Sequence, residues 1–438
     1  MNKTFFWSAS LTVAVLTGWV DSAYGQSTEA PVSRALAALI AEAWEKNPEL
    51  EFYRQEIAAA KTERKLTGSW NNPELSTTLG QKSVGNSGIA NEGIAWSVSL
   101  SQPIEWPGRV ELRKAIANHQ INLAELGYSK FKSILRSRAH LYSYQLLGAQ
   151  ERAAAAKEVA ERLQQLREVL VQREPAGLTP MLETRIIEAT QLTLRRKSGE
   201  AELLAQMAML NLNQLRGTPW TQPVIVEQTR LTFNPAPETV ILLKAAQTNN
   251  FELQMRRVEL EQQGFKVSLA LKENYSSFTV GPYLSKDTLK EREQQIGVAL
   301  SIPIPLWKGS KGSVDIATAR QKQAETSLHI SQREVEKQIL ERSTVYRTKL
   351  AEMALWQPDS VEQFRAAAAM ADRHYRLGAV AIATYVELQK QYLEAIEALL
   401  ATQQEALEAG QELQSLTGLE FGVATFTAKT EPKSTGKL

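Results

Sequence analysis

The stretch Ile94–Gln102, IAWSVSLSQ, alternates large apolar side chains with small ones. This two-residue period predicts a β-strand with one apolar face and one small, polar face. A second stretch, Ile296–Ile302 (IGVALSI), repeats the pattern about 200 residues later. If these strands cross a membrane, the residues expected to face lipid are Ile94, Trp96, Val98, Leu100, Ile296, Val298 and Leu300.

The opposite face of the same strands carries small or hydroxyl side chains, which suit the wall of a water-filled lumen. A soluble sheet with one buried and one solvated face would show the same alternation. The membrane interpretation is favoured because each strand lies beside a very long helical segment and the whole arrangement is repeated. With a second hairpin strand predicted around 277–284, the expected lumen residues are Ser97, Ser99, Ser101, Thr279, Gly281, Ala299 and Ser301.

Composition sets broad limits on the function. The chain has 438 residues, 43% of them hydrophobic, and a net charge of +2, so no bulk field points to nucleic acid. Cysteine is absent, which excludes thiol catalysis, thiolate metal sites and a lipidated N-terminal cysteine. No Ser-His-Asp order or phosphate-binding loop is visible, so the sequence predicts neither an enzyme nor a cofactor.

The N-terminus predicts export. Residues 1–25 combine Lys3, an apolar run and the small-x-small sequence Ala23-Tyr24-Gly25, which is typical of a cleaved signal peptide. We expect the mature chain to begin near Gln26. No later stretch approaches about 20 consecutive apolar residues, so any membrane crossing is expected to use strands.

Beyond the signal, the pattern predicts a unit of helices and a β-hairpin. Proline and glycine positions separate the elements, and a run without proline after Gly108 predicts a helix about 95 Å long. The expected elements are helices 31–46 and 49–69, strands 74–80 and 94–102, a long helix 109–172, and a return helix that ends at Gly217.

The unit then occurs a second time. Four short sequence similarities, such as Asn47–Leu50 with Asn250–Leu253, recur at offsets of about 200 residues. Pro358 is expected to kink or break the second long helix, 312–377. The expected boundaries are 26–217 for the first repeat, 218–237 for a linker, 238–419 for the second repeat with strands near 277–284 and 295–303, and 420–438 for a disordered tail.

The two hairpins supply only four strands, which cannot close a barrel, and open sheet edges in lipid are costly. A dimer would give eight strands with a filled interior, whereas a trimer gives twelve and leaves a lumen. The expected fold is therefore mainly α with a membrane β-barrel: two repeats of long helical hairpin plus β-hairpin, assembled as a trimer. Trp106 and Trp307, each just after a returning strand, are expected to lie in an interfacial aromatic girdle.

Several of these residues resemble the TolC-type outer membrane efflux family, and the likeness covers about 31–419. It is carried by Asn47–Leu50 (NPEL), Ser101–Arg109 (SQPIEWPGR), Ala176–Glu183 (AGLTPMLE) and Tyr375–Gly378 (YRLG). The second and third of these segments most resemble the branch that serves heavy-metal pumps, the CzcC and CusC type.

The resemblance implies a homotrimeric duct in the outer membrane of a Gram-negative bacterium, extending into the periplasm. It also implies docking to a periplasmic membrane-fusion adaptor and to an inner-membrane resistance-nodulation-division transporter, which supplies the energy. The docking tips would comprise Gly177, Leu178, Thr179, Pro180, Arg376, Leu377 and Gly378. A glycine is common in any helical hairpin turn, so a single turn glycine does not by itself indicate docking. The docking assignment depends on both turns lying together at the far end of the tube.

The resemblance also places acidic residues at a periplasmic gate. Glu183 and Glu387 occupy such positions, while Thr384 stands where a further acid is expected. Rings of glutamates would attract cations, although both residues could equally be solvated surface glutamates. His119, His140, His329 and His374 show no paired spacing and are expected to be packing or surface residues rather than metal ligands.

Three functions stay open from sequence. The leading one is an exit duct for heavy-metal cations. The same channel could instead carry drugs or a polypeptide secreted by a type I system. A soluble periplasmic adaptor would also contain a long helical hairpin, but the β-rich segments expected beside it are missing.

Overall fold

The computed structural model describes residues 32–86, 89–173, 181–227, 229–288, 292–304, 311–356 and 360–428. Its central element is a helix of 65 residues, about 97 Å long at 1.5 Å per residue. The elements of the first half are β1 Val32–Arg34, α1 Leu36–Lys46, α2 Glu49–Thr67, β2 Glu74–Asn86, β3 Ile89–Ile104, α3 Arg109–Arg173 and α4 Met181–Arg216.

The second half repeats the order of helix, hairpin, long helix and return helix, as predicted. The second long helix is interrupted between Ala354 and Ser360, and Pro358 itself lies outside the described residues. The elements are β4 Val224–Val226, β5 Thr229–Phe233, α5 Thr239–Asn249, α6 Phe251–Lys272, β6 Phe278–Thr288, β7 Arg292–Ser301, α7 Lys311–Ala354, α8 Ser360–Arg376, α9 Ile382–Thr417 and β8 Ala424–Ala428.

In the first repeat, α2 and α4 lie end to end along α3, and the side chain of Asn47 joins them. Its Nδ2 donates to the carbonyl of Leu215 at the end of α4 (2.9 Å), while its Oδ1 accepts from the backbone N–H of Glu49 (2.9 Å). Gly217 ends α4 with φ +62, and a Cβ there would lie 2.6 Å from the carbonyl oxygen of Lys46. The close approach of the two helix ends therefore requires glycine.

The second repeat uses the same device. Asn250 donates to the carbonyl of Leu416 (2.8 Å) and accepts from the backbone N–H of Leu253 (3.0 Å), so it caps α6 and holds the end of α9. Gly418 takes φ +64 at the end of α9. The recurrence of both asparagines confirms, in atomic contacts, the repeat indicated by the sequence.

The helices and the strands follow the same lateral order. The strands form one antiparallel sheet in the order β2-β3-β6-β7. In the helical layer, α3 contacts α2 and α4 on one side and α6 and α9 on the other, and α7 lies beyond them against α6 and α9. Each chain thus has the lateral order of a wall segment, with α2, α4 and β2 at one edge and α7 and β7 at the other.

Two predicted irregular segments contain strands instead. The linker 218–237 holds β4, which pairs in parallel with β1, and β5, which pairs with β8. β8 lies within the segment 420–438 that was expected to be disordered, so that expectation is wrong for the part that ends at Ala428. The expected helix 31–46 likewise begins only at Leu36, after β1.

The C-terminal segment is held in place by a buried apolar side chain, although most of its residues are polar. Val423 is 1% exposed and packs against Gly410, where an added Cβ would lie 2.3 Å from a Val423 methyl. The hydroxyl of Tyr346 donates to the carbonyl of Asn234 (2.6 Å) and lies 3.2 Å from the carbonyl oxygen of Val423. These contacts order the segment because they bury an apolar side chain and pair its backbone.

Both hairpins are longer than predicted at their turn ends. The first spans 74–86 and 89–104 rather than 74–80 and 94–102, because cross-strand pairing continues through Gly, Ser and Asn residues that indicated a loop. The second spans 278–288 and 292–301 rather than 277–284 and 295–303. Within the described residues, no helix combines the length and the apolar character needed to cross a membrane.

Candidate functional site

The four-stranded sheet has two chemically different faces. Cross-strand partners share a face, so the register determines which side chains lie together. Ser101 pairs with Glu74 and Ser97 with Thr78 on one side, and Ser97 pairs with Ser285 on the other. All the predicted lumen residues fall on one face, which we call the small-residue face: Ser97, Ser99, Ser101, Thr279, Gly281, Ala299 and Ser301.

Side chains on the small-residue face contact one another. The hydroxyls of Thr78 and Ser97 lie 2.6 Å apart across the first hairpin. Tyr283 is the one aromatic side chain on this face within the described strands, and its ring lies over Gly297, where an added Cβ would be 2.7 Å from it. The alternation in sequence did not single out Tyr283, whose glycine partner becomes visible only through the register.

The opposite face, which we call the apolar face, gathers all the predicted lipid-facing residues. Leu100 pairs with Leu75, Trp96 with Leu79 and Leu284 with Ile296. The side chains are widely exposed in the single chain: 76% for Ile296, 72% for Val298 and 81% for Leu79. A contiguous exposed apolar surface of this kind indicates contact with lipid or another protein. Val280 and Pro282 lie on the same face.

The segment Ser101–Arg109 ties the sheet to the helices. Arg109 is 9% exposed, and its guanidinium donates to the carbonyls of Lys272 (3.0 Å) and Tyr275, which belong to the other repeat. Trp106 stacks on Tyr275 with ring centroids 5.2 Å apart. The predicted girdle residue Trp106 thus lies at the boundary between sheet and helices, whereas Trp307 lies outside the described residues.

At the far end of the long helices, α8 turns into α9 through a left-handed glycine. Gly378 has φ +73, and among the described residues no atom beyond its own chain neighbours lies within 4 Å of the position that its Cβ would take. Arg376 and Leu377 are exposed beside it, Leu377 at 75%. The corresponding residues of the first turn, Gly177, Leu178, Thr179 and Pro180, lie outside the described residues.

The predicted gate residues have different surroundings. Glu183 is half-buried at the start of α4, and its Oε2 accepts from the hydroxyl of Tyr375 near the end of α8 (3.0 Å). Tyr375 in turn stacks on the buried Tyr385, with centroids 5.4 Å apart. Glu387 and Thr384 are exposed on α9, and Glu387 accepts from Gln391 (3.0 Å). The hydrogen bond from Tyr375 to Glu183 joins the two repeats, and nothing in the spacing predicted it.

The four histidines lie in helices: His119 and His140 in α3, His329 in α7 and His374 in α8. His140 is partly buried in α3, and burial, with the nearby Arg136 charge, lowers the pKa of its imidazole to about 4. His119 lies near Phe265, with ring centroids 5.2 Å apart. Among the described residues, no group of three or more His, Cys, Asp or Glu side chains is arranged to hold a metal ion.

Solved structures resemble this fold. The outer membrane channel CmeC of Campylobacter jejuni matches with a TM-score of 0.69 and 16% identity, covering 87% of this chain and 85% of that chain. The outer membrane protein VceC of Vibrio cholerae matches with a TM-score of 0.66 and 16% identity, covering 87% of this chain and 96% of that chain. A structure of CusC, solved to follow the conformational changes of folding and transmembrane channel formation, matches with a TM-score of 0.62 and 17% identity. The match covers 88% of this chain and 91% of that chain. At these identities the likeness concerns the fold.

The sequence itself matches a known family. None of the curated proteins compared matches it significantly. The sequence model of the outer membrane efflux protein family matches residues 39–218 and 242–419, which correspond to the two structural repeats. The family comprises channels rather than enzymes, in agreement with the expectation from sequence, and it decides against the soluble adaptor. The chain therefore belongs to the outer membrane efflux protein family and is an outer membrane efflux channel.

Proposed function

We propose that three copies of the chain close into a passive duct across the outer membrane, and that the duct carries heavy-metal cations delivered by an adaptor and an inner-membrane pump. The structure of the four-stranded sheet is the main observation that supports a duct. Its apolar and small-residue faces lie back to back, and its two edge strands, β2 and β7, each pair on one side only within the chain. Unpaired edges cost several kcal/mol per backbone group in lipid, so neighbouring copies complete the sheet.

The helical layer supports the same closure. Among the described residues, the central helices α3 and α9 carry no exposed large apolar side chain and the central helix α6 carries one, Leu271 (50%), whereas the edge helices α4 and α7 carry several. Such patches are expected where a second copy packs against each edge. The exposed residues include Leu192 (71%), Leu203 (55%) and Met207 (53%) on α4, and Ile316 (58%), Ile330 (63%) and Leu340 (49%) on α7.

The natural absence of cysteine allows a direct test of closure. One cysteine placed on β2, at position 76, 78 or 80 in turn, is combined with Ala299→Cys on β7. Within a chain these strands are separated by two others, so their Cα atoms lie about 14 Å apart, too far for a disulfide. Any cross-link must therefore join two copies.

We expect one of the three combinations to give a covalent ladder that stops at the trimer under non-reducing electrophoresis. The single-cysteine variants serve as controls and can form at most a linked pair. A ladder that stops at the dimer, continues beyond the trimer, or is absent from all three combinations would contradict the proposed closure.

The far end is proposed as the docking and gating region. The open space around Gly378 and the exposed Leu377 favour close approach of a partner helical hairpin. Three copies of Glu387 would form a negative ring beside Thr384, which is uncharged and weakens the ring. Glu183 is engaged with Tyr375, so we assign it to holding the two helical hairpins together.

Tyr375→Phe is expected to favour the open far end. The variant removes the hydroxyl that binds Glu183 but keeps the ring stacked on Tyr385. A hydrogen bond to a charged group contributes about 1.5–3 kcal/mol, so the ratio of open to closed channels should rise roughly tenfold or more. Single-channel recording in planar bilayers measures this ratio.

The control for this experiment is Glu387→Gln, which is expected to lower the preference for cations without increasing the open fraction. Two results would show that the bond between Tyr375 and Glu183 does not hold the far end closed. One is a raised open fraction in Glu387→Gln but not in Tyr375→Phe, and the other is a Tyr375→Phe channel with the same open fraction as the unmodified protein.

Heavy-metal cations are proposed as cargo because the segments 101–109 and 176–183 resemble the metal branch of the family. In the structure the first of these segments joins the repeats through Arg109. A strain that lacks the gene should become sensitive to divalent or monovalent heavy-metal salts and regain resistance with the intact chain. Unchanged metal tolerance together with new sensitivity to drugs, or with loss of a secreted polypeptide, would replace the cargo but keep the duct.

A further inference from the structure

Among the described side chains, charged groups occupy only the ends of the small-residue face. Along the middle of the four strands, this face carries serine, threonine, glycine, alanine, glutamine and one tyrosine. Glu74 lies at the helix end of the sheet. At the turn end, the charged residues whose side chains are described are Lys82 on β2, Asp287 on β6 and Glu293 on β7.

The register places these three groups next to one another. Asp287 and Glu293 are direct cross-strand partners, so two like charges face each other at the close spacing of paired strands. Lys82 reaches Asp287 from two strands away, and its ammonium forms an ion pair with the carboxylate. The cross-strand partners on the intervening β3 are Gly93 for Lys82 and Ala95 for Asp287, and neither has a side chain that would block this path.

The ion pair neutralises one of the two carboxylates. The side chain of Asp287 is 16% exposed and that of Lys82 41%, whereas Glu293 is exposed to solvent. An exposed charge at a pore wall acts on passing ions over about one Debye length, roughly 10 Å at 0.1 M salt, so the exposed carboxylate of Glu293 would act on ions in a lumen on this side of the sheet.

We infer that Lys82, Asp287 and Glu293 form a selectivity belt at the turn end of the duct, in which Lys82 limits the preference for cations by cancelling Asp287. The inference rests on the proposed function, which makes the small-residue face the lumen wall. Each chain would contribute one net negative charge to the belt. The ligand class is any small ion in transit, with cations admitted in preference to anions.

The test measures the permeability ratio of potassium to chloride from reversal potentials across planar bilayers under a KCl gradient. Lys82→Met should raise the ratio about twofold or more near 0.1 M salt, and Glu293→Gln should lower it toward unity. The double variant Lys82→Met/Glu293→Gln keeps one carboxylate per chain and should return to the ratio of the unmodified protein. All shifts should shrink near 1 M salt, where the Debye length is about 3 Å.

Matched controls lie on the opposite face at the same end of the sheet. Lys286 shares the face of Trp96, and Glu92 shares the face of Gln81, to which it is hydrogen-bonded (2.7 Å). Lys286→Met and Glu92→Gln change the same charges outside the lumen and should leave the ratio unchanged. Lys82→Arg keeps the positive charge and should behave like the unmodified protein, which separates charge from any effect on folding.

The outcomes separate the inference from the proposed function. Channels that form normally but show the same ratio in Lys82→Met as in Lys286→Met would overturn the belt and leave the duct standing. A double variant that does not return to the original ratio would also overturn it, because a purely structural role for Lys82 predicts no compensation. Failure of the unmodified protein to conduct at all would overturn the proposed function and the belt with it.

Discussion

Replacing Val298 with arginine is expected to abolish assembly in the outer membrane, whereas the same replacement at the adjacent Ala299 is expected to leave assembly intact. Val298 lies on the apolar face of β7 and is 72% exposed in the single chain. Its cross-strand partner is Pro282, which lies on the same face. The side chain of an arginine at this position would point into lipid if the proposed function is correct.

The expected effect is large because it is repeated in every copy. An arginine on the lipid face of a membrane strand costs about 2–4 kcal/mol near the bilayer midplane, and three copies multiply this cost in the assembled duct. That total is comparable with the whole free energy of unfolding of an ordinary domain, about 5–15 kcal/mol. We expect no heat-modifiable trimer of Val298→Arg in outer-membrane fractions.

Ala299→Arg is the matched control because it carries the same charge one residue away on the opposite face. Ala299 pairs with Gly281 on the small-residue face, where the proposed lumen leaves room for a long side chain. The variant should assemble and show a smaller single-channel current. Equal recovery of both variants, or loss of Ala299→Arg alone, would reverse our assignment of the two faces.

Arg216→Met is expected to destabilise each chain by about 3–5 kcal/mol, because it breaks a buried ion pair. Arg216 is 0% exposed, and its guanidinium donates to Oε2 of Glu42 from Nη2 (2.6 Å) and Nε (3.0 Å). A further bond from Nη1 reaches Oδ1 of Asn213 (2.9 Å). The pair joins α1 to the C-terminal end of α4.

The expected loss comes from the partner that remains. Without Arg216, the carboxylate of Glu42, whose side chain is 14% exposed, keeps its desolvation cost and loses its principal counter-charge. The midpoint of chemical unfolding in detergent should fall clearly. Lys46→Met is the control, since Lys46 binds the same carboxylate (2.9 Å) with a side chain that is 56% exposed, and an exposed pair contributes only about 0–1 kcal/mol.

A double variant, Arg216→Met/Glu42→Leu, removes both charges and should recover most of the stability lost in Arg216→Met, because well-packed apolar residues can replace a buried ion pair at little cost. Equal loss in Arg216→Met and Lys46→Met, or no recovery in the double variant, would show that the buried charge is not the cause.

Much of the architecture followed from local patterns that do not depend on distant residues. The absence of proline between Gly108 and Arg173 and the abundance of helix-forming residues predicted α3 almost to the residue. The period of two in Ile94–Gln102 assigned each side chain to a face, and the register places the predicted small residues on one face. The repeat placed Gly217 and Gly418 at equivalent helix ends, where both take a positive φ.

What sequence reasoning missed depends on partners far away in the chain. The segment after Leu419 appeared disordered because its composition is polar, yet β5 supplies the backbone partners and Gly410 the space that order β8. The turn end of the first hairpin was predicted too short. Backbone hydrogen bonds form across the two strands whatever the side chains, so pairing continues through the Gly, Ser and Asn residues that indicated a loop.

By itself, the sequence determined the periodicities, the breaks and the doubling, since these arise from the conformational preferences of each residue and its near neighbours. Only the tertiary structure decided which polar groups meet: Tyr375 with Glu183, Lys82 with Asp287 and Arg216 with Glu42. The physical reason is that a hydrogen bond or ion pair requires contact within a few ångströms, and residues separated by about 170–205 positions reach that contact only after distant parts of the chain have folded against each other. For Arg216 and Glu42 those parts belong to the first repeat, whereas the other two pairs join the two repeats.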